Sequence, residues 1–221
     1  MKNYQIAVDG PAGSGKSTVA KRIAKALGIV YLDTGAMYRA FTYKVLEKEI
    51  DFSDLETIKK MLQDTDIKFE GDRIYLDSDD VSEEIRSKIV SNNVSAIAAI
   101  DCVRTFLVDE QKKIANECSV IMDGRDIGTK VMPNAEFKYF LIASIEERAR
   151  RRHTELQEKG LNVKFEDIKR EIEERDEKDS SRANSPMKQA EDAKLLDTTL
   201  LTIDEVVSRI VNDVKGDYYD N

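Results

Sequence analysis

Gly10-Pro-Ala-Gly-Ser-Gly-Lys-Ser-Thr18 decides how this chain is read. Gly10, four further residues, then Gly15, Lys16 and Ser17 match the spacing of a phosphate loop. That motif needs a strand before it and a helix after it. Gln5–Val8 is a short apolar run suited to a buried strand, and Val19, Ala20, Ile23, Ala24 and Leu27 then recur at helical spacing. Glycines let the backbone fold back and aim successive N–H groups at phosphate oxygens, and the helix dipole adds positive potential there. Gly10, Pro11, Ala12, Gly13, Ser14, Gly15, Lys16, Ser17 and Thr18 are therefore the candidate triphosphate cradle. Lys16, expected on the exposed surface of the loop, would reach the β- and γ-phosphates, and the Ser17 hydroxyl would ligate Mg²⁺.

A length of 221 residues suffices for one domain with a full core and small inserts. The net charge of −8 makes nucleic acid an unexpected partner, because polyanions are repelled except at local basic patches. Cys102 and Cys118 lack CxxC spacing, and His153 is the single histidine, so neither a disulfide framework nor a histidine metal cluster is expected. The apolar runs are strand-sized and the N-terminus lacks a secretory pattern, which predicts a cytoplasmic protein with no membrane span. Nothing demands an oligomer, so a monomer is expected.

Working outward from the loop, short apolar strands alternate with amphipathic helices, which predicts an α/β fold with a parallel sheet covered on both faces. Strands are expected at Gln5–Val8, Ile29–Leu32, Val120–Met122, Lys138–Ile142 and Lys194–Leu196. Helices are expected at Lys16–Leu27, Ala36–Lys48, Leu55–Leu62, Asn93–Asn116, Ile145–Gln157, Phe165–Ser180 and Ile203–Lys215. Residues 65–92 break the alternation. Ile67–Glu70, Arg73–Asp77 and Asp79–Val81 form an expected antiparallel insert, with Ser82 capping a helix through Ile89. Residues 146–182 are dense in both charges and suit either exposed salt-bridged helices or a mobile lid carrying arginines. The polar tail from Gly216 to Asn221 is expected to fray.

Four further clusters carry candidate chemistry. After the second strand, Thr34 can cap a helix, and Arg39 lies one turn inside it, above the small residues Gly35 and Ala36. Arg39 is read either as a fork for an anionic oxygen pair or as a surface arginine paired with a carboxylate. Asp123-Gly-Arg-Asp126 follows an apolar strand, where a phosphate-loop enzyme keeps its second magnesium-side carboxylate, Asp123. Arg175, Asp179 and Arg182 share one helix face if the helix persists that far. Arg148, Arg150, Arg151 and Arg152 form a second basic group, of which one or two could meet a nucleotide. Ser95, Arg104 and Asp126 could read a base such as cytosine, which needs an arginine-like donor beside a carboxylate acceptor.

Taken together, these stretches resemble the bacterial cytidylate kinase family. The resemblance rests on the loop at 10, Leu-Asp-Thr-Gly-Ala-Met-Tyr-Arg at 32, Glu-Glu-Arg-Ala-Arg-Arg-Arg at 146, Leu-Gln-Glu-Lys-Gly at 156, Asp-Gly-Arg-Asp-Ile-Gly-Thr at 123 and Glu-Arg-Asp-Glu-Lys-Asp-Ser-Ser-Arg at 174. It runs from about Ile6 to about Val207. It implies a P-loop nucleoside-monophosphate kinase fold over residues 1–221, with a five-stranded parallel core, the insert at 65–92 on the monophosphate side and a helical lid at 146–182. It implies transfer of the ATP γ-phosphoryl group to CMP or dCMP with Mg²⁺ held at Ser17 and Asp123. Thr34, Tyr38, Arg39 and Arg125 would surround the acceptor phosphate. Ser95, Arg104, Asp126 and Arg182 would serve the base pocket. Arg175 and Asp179 would serve the sugar and the transfer path, with Lys16, Arg125, Arg175 and Arg182 as the catalytic cations. UMP, AMP or shikimate as acceptor, or a nucleotide switch without an acceptor, are the competing expectations.

Overall fold

Strand β1 (Gln5–Asp9) is buried over nearly its whole length, as a strand flanked on both sides and covered on both faces must be. The computed structural model describes residues 3–219. With β2 (Val30–Asp33), β6 (Val120–Gly124), β7 (Phe137–Ile142) and β8 (Lys194–Asp197), β1 forms a five-stranded parallel sheet in the order β2-β6-β1-β7-β8. The register pairs Ile6 with Ile121 on one side and with Phe137 on the other, and Asp9 with Gly124. Strand order diverges on either side of β1, so its carboxyl end, where the Gly10 loop begins, opens where α/β sheets place ligands. A second, three-stranded antiparallel sheet comprises β3 (Ile67–Glu70), β4 (Arg73–Leu76) and β5 (Asp79–Asp80).

The chain divides into two compact units, Met1–Tyr31 with Ala115–Asn221, and Leu32–Ile114. In the first, α1 (Lys16–Leu27) and α8 (Ile203–Tyr219) bury Val19, Ile23, Val206, Ile210 and Val214 with the strand residues Ile6, Val8, Ile121, Tyr139 and Leu141. Gly28 ends α1 in the left-handed conformation (φ 66°), its N–H donating to the Ala24 carbonyl. Helices α6 (Ile145–Glu158) and α7 (Phe165–Ser180), in the stretch expected as a lid, share a small core of Ala149, Ile168 and Ile172 with Ala12 of the loop.

In the second unit, α2 (Thr34–Glu47) packs Ala36 and Ala40 against Ile74, Leu76, Val81 and Ile85. The cap of α2 is Asp33 rather than Thr34: the Asp33 carboxylate accepts the Ala36 N–H at 2.8 Å. Helix α3 (Leu55–Gln63) is capped by Asp54. The β4–β5 turn places Asp77 and Ser78 at φ 51° and 80°, the double left-handed geometry of a tight hairpin. Ser82 caps no helix; its hydroxyl donates to Asp80 and accepts the Ile74 N–H, and a single 3₁₀ turn at Glu84–Arg86 follows. The helix expected over 93–116 is two, α4 (Lys88–Ile97) and α5 (Asp101–Glu117), and the Arg104 Nε donates to the Ala98 carbonyl in the break. Helix α8 continues past Gly216 to Tyr219, while Asp220 and Asn221 lie outside the described residues.

Leu141 is fully buried in the sheet core. Leu141→Ala is expected to lower unfolding free energy by about 2–5 kcal/mol, read by urea denaturation.

Candidate active site

The loop leaves β1 through Gly10, at φ 142°, and a Cβ there would lie 2.1 Å from the Leu141 carbonyl oxygen. Only glycine lets β1 turn this close to β7. Gly13 (φ 75°) and Gly15 (φ 87°) continue the turn, and Gly15 caps α1. Lys16 is buried rather than exposed, since its stem folds back into the loop. Its Nζ donates to the Pro11 carbonyl (2.6 Å) and the Ser14 hydroxyl (3.3 Å). Burial and the Arg125 guanidinium hold its pKa well below the ordinary lysine value, against the pull of Asp123 and Asp9; Arg175 adds to the depression.

Helices α6 and α7 hold this loop from outside. Arg148 donates to the Ala12 carbonyl (2.9 Å) and pairs with Asp176, whose Oδ1 accepts the Ala12 N–H at 2.8 Å. Arg151 donates to the Thr198 carbonyl (2.6 Å) and the Ser14 carbonyl (3.4 Å). Arg150 pairs with Glu147, and Arg152 with Glu155 at 2.7 Å. Of the four arginines, Arg148 and Arg151 thus engage loop backbone directly.

At the first turn of α1 the Ser17 hydroxyl donates to Asp123 Oδ2 (2.7 Å), and the Tyr31 hydroxyl donates to Asp123 Oδ1 (2.8 Å). A buried carboxylate beside a hydroxyl is the hard, all-oxygen donor set that Mg²⁺ prefers. No cluster of three His, Cys, Asp or Glu side chains exists among the described residues. A cation here would complete its shell with phosphate oxygens and water, as Mg²⁺ does.

Asp179 gathers the arginines. Its Oδ2 accepts from Arg125 Nε (2.7 Å) and its Oδ1 from Arg182 Nη2 (2.5 Å). Burial raises the Asp179 pKa, but Arg125, Arg182 and Arg175 together outweigh it and hold the carboxyl below its ordinary value. Helix α7 ends at Ser180, so Arg182 lies past it rather than on its face, yet still reaches Asp179. Asp126 is buried two residues beyond the end of β6. Asp9, at the end of β1, is buried and accepts the N–H groups of Ile127 and Gly128, both at 2.8 Å. Burial pushes its pKa up to about 7, with Asp126 adding and the two amides and Lys16 opposing.

In the second unit, Arg39 Nη2 pairs with Asp33 Oδ2 at 2.9 Å. A Cβ on Gly35 would lie 3.1 Å from Arg39 and 3.2 Å from Asp33, so the small residue makes room for that pair. The Arg104 guanidinium lies 5.2 Å from the Tyr38 ring centroid, both residues being buried. Thr34 is buried at the start of α2, and Ser95 is half-buried on α4. Sequence reasoning passed over Asp9, Tyr31, Asp33 and Asp176. Asp9 directly precedes the loop motif and Asp33 lies inside the motif at 32, positions that could have drawn notice; Tyr31 and Asp176 act through distant partners.

A sequence profile described as cytidylate kinase matches residues 6–216. The chain belongs to the cytidylate kinase family. A cytidylate kinase of Caldanaerobacter subterraneus subsp. tengcongensis is 54% identical over 211 residues, 96% of this chain and 94% of the relative. One from Alkaliphilus oremlandii is 54% identical over 98% of this chain and 100% of its own length. Among solved structures, an uncharacterized protein from Eubacterium ventriosum shares the fold, with TM-score 0.53 and 13% identity over 96% of this chain and 99% of its own. The matched residues 6–216 include the motifs around Lys16, Asp123 and Asp179. No helix among the described residues is long and apolar enough to cross a membrane.

Two expected outcomes follow from this geometry. Gly10→Ala must displace the loop from the Leu141 carbonyl, and equilibrium dialysis should find no binding of a nonhydrolysable ATP analogue at concentrations that saturate the parent. Asp9 and Asp179 titrate in opposite senses from their common ordinary value of 3.8. The Asp9 contribution to stability is present in acid and is lost as pH rises towards 7, whereas that of Asp179 is present above 3.8 and is lost in stronger acid. In melts from pH 3 to 8, Asp9→Asn should gain on the parent between pH 4 and 7, while Asp179→Asn should close its deficit only below pH 4.

Proposed function

We infer that this chain is a cytidine-monophosphate kinase: it transfers the γ-phosphoryl group of ATP to CMP or dCMP, releasing ADP and CDP or dCDP. The observation that carries this reading is a buried phosphate-loop cation, Lys16, that feels two further guanidinium charges, Arg125 and Arg175. Cations held close together against their own repulsion suit a transferring phosphoryl group, whose charge spreads over its oxygens. An acceptor-phosphate oxygen bonds to the γ-phosphorus as the bridge to the β-phosphate breaks, and ADP leaves. No protein nucleophile is required.

The roles divide as follows. The residues from Gly10 to Thr18 cradle the ATP phosphates. Arg125 and, in the second unit, Thr34, Tyr38 and Arg39 bind the acceptor phosphate. Asp126 and Arg182, and in the second unit Ser95 and Arg104, bind the base, and a uracil would leave their polar groups unpaired. Arg175 and Asp179 serve the sugar and the transfer path. Ser17 and Asp123 would hold Mg²⁺, which when bound neutralises phosphate charge. Residues 146–182 act as the lid that excludes water. The enzyme works as a cytoplasmic monomer.

A coupled ADP-release assay over CMP, dCMP, UMP, AMP and shikimate tests the reading. CMP or dCMP should give the highest kcat/KM; a clear lead for UMP, AMP or shikimate would refute it, as would ATP turnover indifferent to any acceptor. Lys16→Ala should lower turnover at least about 100-fold without lowering the melting midpoint, because it removes a cation whose burial is unfavourable.

A further inference from the structure

Asp9 has no place among the roles above, yet it is 4% exposed and both its oxygens are committed. Its Oδ1 accepts the Ile127 N–H and its Oδ2 the Gly128 N–H, across 118 and 119 residues of chain. These amides open the π-type turn Ile127–Val131, which directly follows Asp126 and has no side-chain cap from its own residues. The Asp126 carbonyl accepts the Lys130 N–H at 2.8 Å inside the same turn. From the other side, a Cβ on Gly128 would lie 3.3 Å from the Lys138 stem and 3.4 Å from Asp9. The turn is therefore gripped between β1 and β7, and the grip on its amides is the Asp9 carboxylate.

Burying this carboxylate near Asp126 costs free energy, both from desolvation and from like charge. What the carboxylate alone supplies is two acceptor oxygens for two neighbouring amides; an asparagine would turn an NH₂ towards one of them. Asp9 also directly precedes Gly10, whose backbone packs closely against Leu141. We propose that Asp9 is a positioning residue that fixes the Asp126 turn for recognition of the acceptor base and references it to the first residue of the donor loop. The inference rests on Asp126 serving the acceptor base.

The test compares Asp9→Asn, Asp126→Asn and the double variant by steady-state kinetics. Asp9→Asn should raise KM for CMP about tenfold, as expected for one buried amide left unpaired, with KM for ATP changed less than about twofold. The double variant should have a CMP KM no higher than that of Asp126→Asn alone, because Asp9 acts through that residue. Gly128→Ala, which crowds the turn while keeping the carboxylate, should reproduce the CMP-specific rise and carries the test if Asp9→Asn does not fold. Equal increases in both KM values, unchanged kinetics with a lowered melting midpoint, or additive effects in the double variant would each overturn the proposal. If Asp126→Asn leaves the CMP KM unaltered, the base-reading assignment itself fails and the inference falls with it; that result is distinct from a failure of Asp9 alone.

Discussion

A lysine ammonium buried in a loop, held by a carbonyl and a hydroxyl and pushed by neighbouring guanidiniums, is the constraint around which this structure is organised. Alone, such a cation would shed its proton or draw in water. Here three buried carboxylates temper the surrounding charge: Asp123 and Asp9 act on Lys16, and Asp179 binds Arg125 and Arg182. Lys16 is thereby held where β1 opens into α1, at the N-terminal end of that helix, where an anion is favoured. Because the dipoles and cations are already in place, little reorganisation accompanies the movement of phosphate charge.

The scaffold that fixes this potential is drawn from distant parts of the chain. Gly10 is pressed on the carbonyl of Leu141, Ala12 is bracketed by Arg148 and Asp176, and Ser14 is reached by Arg151. Ala12 also belongs to the apolar core shared by α6 and α7. The charge-rich stretch from 146 to 182 is thus built into the loop by both hydrogen bonds and packing. Arg175 stands next to Asp176 on the same helix.

Features carried by local spacing were legible in the sequence. The extent of α1 follows from its apolar periodicity, and the hairpin around Gly71 from its turn chemistry. The pairing of Ser17 with Asp123 was foreshadowed by two motifs that each sit at a strand's carboxyl end. Illegible features depend on long-range or competing contacts. Asp9 finds its amides more than a hundred residues away. Asp33 captures the α2 cap because its carboxylate reaches the Ala36 N–H, and Ser82 is taken by Asp80 before it could cap anything. The stretch 93–116 reads as one helix, yet the chain breaks at 98–100, where Ala98 offers its carbonyl to Arg104. The burial of Lys16 was also hidden, because a loop lysine reads as exposed until the loop's own carbonyl is seen to hold it.

The most direct trial of this account follows the phosphorus itself. ATP labelled at the γ-position, incubated with the enzyme and CMP, should place its label in CDP, with one labelled CDP formed for each ADP released. Label recovered instead as inorganic phosphate, at a rate indifferent to CMP, would contradict it.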